Sequence, residues 1–213
     1  FALFFPLPIS IAATAVVHLA NNLFKASIVG KYAEKNTVIK FGIPAAIAAI
    51  LGAYLLNFFS ELTPLFSYHI FHYQFDVTLT GLVIGIIVVL SAFFELIPMS
   101  SKFIINQKYI VLGGLLSGFF GGLSGYQGIL RSAFLIKAGL TKEQFIGTSF
   151  ICSVLVDIVR LTIYGWLAYT KKITQLLSHD LLGITIAATV AGFVGAYIGS
   201  KFMGKITYKI LHV

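Results

Sequence analysis

Charge is what this chain has least of. Of its 213 residues only 10% are Asp, Glu, Lys or Arg, against 58% hydrophobic, and the mean hydropathy is +0.96. A soluble domain carries about 25% charged residues to cover its surface. A water-soluble enzyme or a nucleic-acid-binding domain is therefore excluded, despite a pI near 9.6. Acidic residues are the scarcest: 7 Asp+Glu stand against 15 Lys+Arg, a formal charge of +8. In a membrane protein such an excess sits in cytoplasmic loops and speaks of topology more than of partners. The one cysteine, Cys152, excludes an intramolecular disulfide and a Cys-based metal cluster, and reads as a small packing residue. No basic n-region precedes the first apolar run, so no signal peptide is expected, and Phe1 in place of Met points to sequence ahead of it.

What the chain does have is long apolar runs. A membrane helix needs about 20 such residues, and the sequence divides into spans at roughly 8–30, 41–59, 77–97, 109–136, 143–169 and 181–203. The tail 204–213 is too short to cross alone, and a further span is expected beyond it. The segment 60–76 is aromatic, carries no Lys or Arg, and is expected as an irregular interfacial loop or aromatic belt. His69 and His72 within it have a metal-like spacing but no third ligand, so no metal is assigned, and no cofactor motif is present. The fold expected is an all-α, multi-pass integral membrane protein.

The chain also repeats itself. Residues 24–33 (FKASIVGKYA) align without a gap on 159–168 (VRLTIYGWLA), an offset of 135 that pairs Asn22 with Asp157 and Lys25 with Arg160. Gly52-Ala53-Tyr54 matches Gly195-Ala196-Tyr197 in the same order. Repeats of this length mark a two-fold transporter architecture, with halves at 1–108 and 109–213. Lysine placement then addresses topology. If 109–136 crosses once, seven loop lysines lie on one side and five on the other. If it enters and returns on the same side, ten lie together and only Lys171 and Lys172 lie opposite. The positive-inside rule favours the second arrangement, which makes the two repeats inverted around a re-entrant, glycine-rich segment.

Apart from Glu95, Glu143 and Lys201 at span ends, four charged residues fall inside spans: Lys25, Arg131, Asp157 and Arg160. A charge at mid-bilayer depth costs about 2.5–3.5 kcal/mol on insertion scales, and survives by pairing or by facing a polar cavity. Asp157 and Arg160, at i and i+3, share a helix face and can pair. One carboxylate against three cations leaves an excess of positive charge, for which an anion is the economical partner. Lys25 also has the plainer option of snorkelling to the basic loop beside it. Arg131 follows the run Gly121-Gly122-Leu123-Ser124-Gly125-Tyr126-Gln127-Gly128. Glycines at that density break a helix, and irregular backbone at membrane depth must line a cavity or be buried in protein. The restarted helix offers free N–H groups, and Ser124, Gln127 and Arg131 add donors suited to a small oxyanion. A helix-packing surface is the competing reading for Gly113, Gly114, Gly118 and Gly122. Thr148, Ser149, Asn22 and His18 are secondary candidates. Asn22 offers an amide to substrate, and His18 is either a proton carrier or a packed histidine.

The order GGLSGYQGILRSAFLIKAGL, FIGTSF, VDIVRLTIYG resembles the TauE/SafE sulfite exporter (TSUP) family. So do the small-residue helix start Gly147-Thr148-Ser149 and the later Gly195-Ala196-Tyr197-Ile198-Gly199, echoed by Ala12-Ala13-Thr14 and Gly52-Ala53-Tyr54. The resemblance covers nearly the whole chain, although the glycine-rich opening of the first half is absent. Gln127 and Arg131 stand where the commoner pattern has a Pro-containing apolar stretch. It implies transport of a sulfur-containing anion (sulfite, thiosulfate or a sulfonate) across the cytoplasmic membrane without choosing among them.

The function expected is thus a secondary transporter working by alternating access, with export as the direction that the membrane potential favours. Arg131, Arg160, Gln127, Ser124, Thr148, Ser149, Asn22 and Lys25 are the candidate substrate contacts, with Asp157 and His18 orienting or coupling a proton. An anion channel, an intramembrane enzyme acting on an anionic lipid through His18 and Asp157, and an assembly subunit without a solute pathway are the alternatives. The repeat argues against the last two.

Overall fold

A computed structural model of the chain describes residues 1, 5, 7–70, 73–96, 107–136, 138–170 and 179–202. Helix α1 (Leu7–Val29) ends in a tight turn at Gly30–Tyr32. Glu34 then caps α2 (Lys35–Thr37), its carboxylate accepting from Asn36 N at 3.0 Å and Thr37 N at 2.6 Å. A π-helical turn at Val38–Gly42 leads into α3 (Ile43–Ser60). Pro44 explains that widening, because it has no N–H to continue the helical ladder but fits the first turn of the helix that follows. The strands β1 (Phe66–Ile70) and β2 (Tyr73–Val77) precede α4 (Leu79–Leu96). Next come α5 (Ile110–Ser124) and α6 (Gly128–Leu135), then the long α7 (Lys142–Thr170) and α8 (His179–Phe202).

Helix dominates, and three helices among the described residues are long and apolar enough to cross a membrane: Lys35–Ser60, Lys142–Thr170 and Leu181–Gly199. Their outer faces present bare aliphatic side chains such as Ile47 and Ile186, each more than half exposed, as lipid-facing surfaces do. The expected spans coincide with helices throughout, with 109–136 divided at Gly125–Gln127. The segment after α3 departs from expectation. In place of an irregular loop it forms an antiparallel hairpin, Phe66 opposite Val77 and Tyr68 opposite Phe75. Aromatic and β-branched residues at alternate positions favour that form, and Ser67 Oγ donates to Asp76 Oδ1 at 2.6 Å across it. His72, Lys102, Lys137, Lys171, Lys172, Lys205 and Lys209 lie outside the described residues.

Two packing relations place the interior. On α5, Gly114, Gly118 and Gly122 lie in that order against the backbone of Phe41, Ala45 and Ala49, so α3 and α5 run parallel in close backbone contact. Any Cβ on these glycines would fall on the opposing carbonyl oxygens. Gly113 instead leaves room for the Phe134 ring. These four glycines therefore pack helices together, the plainer of their two readings. The other relation joins α1 to α7. Val29 lies at Gly147, Lys25 Nζ stands 5.3 Å from the Phe150 ring centroid, and Asn22 meets Asp157. Numbers rise along one helix as they fall along the other, so α1 and α7 are antiparallel.

Candidate functional site

The hairpin of α5 and α6 turns at Gly125, whose φ of +84° is a left-handed conformation that glycine adopts without strain. The arms fold back on each other. Ser117 Oγ donates to Gln127 O at 3.0 Å, Gly113 faces Phe134, and Gln107 Nε2 reaches Ala138 O at 3.2 Å across the open end. The turn is held against α7 by Tyr164, whose hydroxyl donates to Gly122 O, and by Arg160 Nη1, which donates to Gly121 O at 3.4 Å. A Cβ at Gly125 would come within 2.6 Å of Arg160 Nη1. The same glycine therefore makes the turn and admits the guanidinium.

At the centre is Asp157, fully buried at 0% exposure beside Arg160 at 1%. Its Oδ1 lies 2.8 Å from Arg160 Nη2, the i, i+3 pair expected from spacing. That contact is a close ion pair without hydrogen-bond alignment, so Arg160 Nε and Nη2 keep N–H groups with no hydrogen-bond partner among the described residues. Asp157 Oδ2 accepts from Asn22 Nδ2 at 2.7 Å, and Oδ1 accepts from Gln127 Nε2 at 3.3 Å. One carboxylate thus ties together α1, α7 and the hairpin turn. It has little capacity left for a second cation.

Arg131 lies one turn into α6, with its Nη2 beside Gly128. It is within electrostatic range of Lys25, Cys152 and Asp157. Its Nε and Nη1 are buried and have no hydrogen-bond partner among the described residues. Ser149 Oγ is buried and unpartnered in the same way. On the other side of Asp157, a cavity of about 520 Å³ is lined by Arg160, His18, Thr14, Ser10, Ser124 and the start of α6 at Gly128 and Ile129. The first N–H groups of a helix have no partner within it, so this wall offers backbone donors as well as a guanidinium.

The sequence candidates accordingly divide. Asn22, Gln127 and Arg160 each contact Asp157 directly. Ser124 and His18 line the cavity with Arg160, Ser124 Oγ donating to Phe120 O at 2.9 Å. Arg131 and Lys25 lie towards the α7 N-terminus from Asp157. Thr148, fully buried, accepts from Glu34 N at 2.9 Å and so faces the connection after α1. Sequence reasoning missed Tyr164, Ser10 and Thr14 as parts of the site. Thr14 had a signal, since it is the repeat partner of Ser149.

Apolar helices closed around a buried cluster with an excess of cations make this a membrane transport protein. The family described as "Sulfite exporter TauE/SafE" matches residues 1–213, and the chain belongs to that family. Membership brings with it a sulfur-containing anion as substrate class and the lipid bilayer as setting. No curated protein and no solved structure matches the chain.

Proposed function

We propose that the protein is a secondary transporter that moves a small sulfur-containing anion (sulfite, thiosulfate or a sulfonate) outward across the cytoplasmic membrane by alternating access. The carrying observation is the imbalance at the centre: Asp157 is engaged by Arg160, Asn22 and Gln127, while two buried nitrogens of Arg131 have no hydrogen-bond partner among the described residues. A buried cation in that state is costly, and an oxyanion with its fixed geometry suits a guanidinium fork. Arg160 and Arg131 hold the anion, with Ser124 and Ser149 as hydroxyl donors and Lys25 adding charge. Gln127 and Asn22 set the position of Asp157, which orients Arg160 and, with His18, carries a coupling proton. Thr148 fixes the loop at Glu34 that borders the site. A negative-inside potential favours outward movement of an anion by about 2.3 kcal/mol per charge per 100 mV.

The proposal includes two inverted repeats, 1–108 and 109–213, with α5 and α6 entering and leaving on one face. It is supported by the antiparallel run of α1 and α7, which carry the repeated sequence, and by the Gln107–Ala138 bond between the two ends of the hairpin. Uptake of labelled sulfite and thiosulfate into proteoliposomes tests the function, with sulfate and chloride as competitors. Saturable uptake that disappears in folded Arg131→Gln and Arg160→Gln protein is expected. Uptake unchanged in both variants, or none of any sulfur anion by folded wild type, overturns it.

A further inference from the structure

The internal repeat and the hydrogen-bond geometry converge on one feature. Asn22 and Asp157 are repeat equivalents, and they are bonded to each other. Two equivalent positions in mutual contact lie at the axis relating the halves. The next equivalent pair, Lys25 and Arg160, then falls on opposite sides of that contact, since α1 and α7 are antiparallel. So does the pair Thr14 and Ser149. Thr14 lines the cavity with Arg160. Ser149 precedes Phe150, over whose ring Lys25 stands, and Arg131 is within electrostatic range of Lys25. The polar interior thus has two cationic stations, Arg160 with Thr14 and Arg131 with Lys25 and Ser149. The second holds the unpartnered Arg131 N–H groups and Ser149 hydroxyl. Between them stands the row Asn22–Asp157–Gln127, drawn from α1, α7 and the hairpin turn.

We infer that this row is the gate of the transport path, separating two anion-binding stations that the repeat makes equivalent. Gln127 is its movable end. Its bond to Asp157 is the longer of the row at 3.3 Å, and it sits at the end of a turn pivoting on Gly125. An anion arriving from the Arg131 station competes with Asp157 for the Arg160 guanidinium. As that ion pair loosens, Asp157 and Gln127 are freed together, and the anion passes outward to Arg160. In the proposed topology Arg160 serves the outer face and Arg131 the cytoplasmic face. This deepens the transport reading and rests on it.

Thiol accessibility in proteoliposomes tests the gate without reference to the solute. In a Cys152→Ala background, Thr14→Cys and Ser149→Cys are each treated with a negatively charged, membrane-impermeant thiol reagent from one face at a time. The two thiols are expected to react from opposite faces. Adding Gln127→Ala, or separately Asn22→Ala, should let each thiol react from both faces, with a chloride and sulfate leak raised about fivefold for the loss of one hydrogen bond. Reaction of both thiols from the same face overturns the inference. So do unchanged labelling and leak in either folded gate variant. Opposite-face labelling in protein that takes up no sulfur anion would keep the gate and remove the proposed substrate.

Discussion

Gly125 answers to two demands, and alanine separates them. Its φ of +84° costs any other residue about 1–2 kcal/mol, and its missing Cβ makes room for Arg160 Nη1. Gly139 is a natural control, with φ +71° and nothing within 4 Å of a built Cβ. Both Gly125→Ala and Gly139→Ala should lower the melting temperature, but only Gly125→Ala should also weaken the concentration dependence of anion uptake, because it displaces the guanidinium. Equal uptake affinity in the two variants would remove Arg160 from the anion contacts. At this scale the sequence was readable where local geometry decides. The Asp157–Arg160 pair follows from i, i+3 spacing, and Asn22 was visible as the repeat partner of Asp157. That the two partners touch was not visible, because repetition alone does not say where the axis passes. Tyr164 was missed because a lone tyrosine in an apolar helix looks like packing until its hydroxyl is seen on Gly122 O.

The pairing of α3 with α5 depends on glycine in a different sense. Gly118 faces the Ala45 carbonyl, a backbone group that cannot rotate away as a side chain would. Gly118→Ala should therefore pry the helices apart, at about 1–3 kcal/mol for overpacking. Gly165→Ala on α7, where a Cβ meets nothing within 4 Å, should leave stability unchanged or raise it by up to about 1 kcal/mol through helix propensity. Thermal melting in detergent reads both, and a Gly118→Ala protein as stable as wild type would contradict the close contact. The glycine run had two readings in sequence because hinge and packing use the same residue. Only the facing element decides between them: Gly114, Gly118 and Gly122 have α3 opposite, whereas Gly125 has Arg160. The β1–β2 hairpin went unread for another reason. Its aromatic residues suit an interfacial loop and a strand equally, and periodicity over five residues is too short to separate them.

For the molecule as a whole, direction of crossing is the question on which the repeat, the hairpin and the charges bear together. Antiparallel α1 and α7 cross in opposite senses, so the repeat they carry is inverted if both span the bilayer. That requires an even number of crossings between Val29 and Lys142. Helices α3 and α4 supply two on either account, so a single crossing by 110–135 would leave α1 and α7 parallel in direction unless the chain crossed once more. A hairpin that returns supplies none, and α7 then starts on the face where α1 ended, as an antiparallel pair joined through two crossings must. The contact of Gly147 with Val29 at that shared end agrees with this, as does the bond from Gln107 to Ala138. The lysines add an independent reason, since Lys31, Lys35 and Lys40 then share a face with Lys108 and Lys142. Single cysteines at Lys31 and Lys142, in a Cys152→Ala background, should react with an impermeant thiol reagent from the cytoplasmic face, and one at Asp76 in the β-hairpin from the outer face. Labelling of the Lys31→Cys and Lys142→Cys proteins from opposite faces would mean that 110–135 crosses the membrane. The inverted repeat and the assignment of the two stations to opposite faces would then fall together.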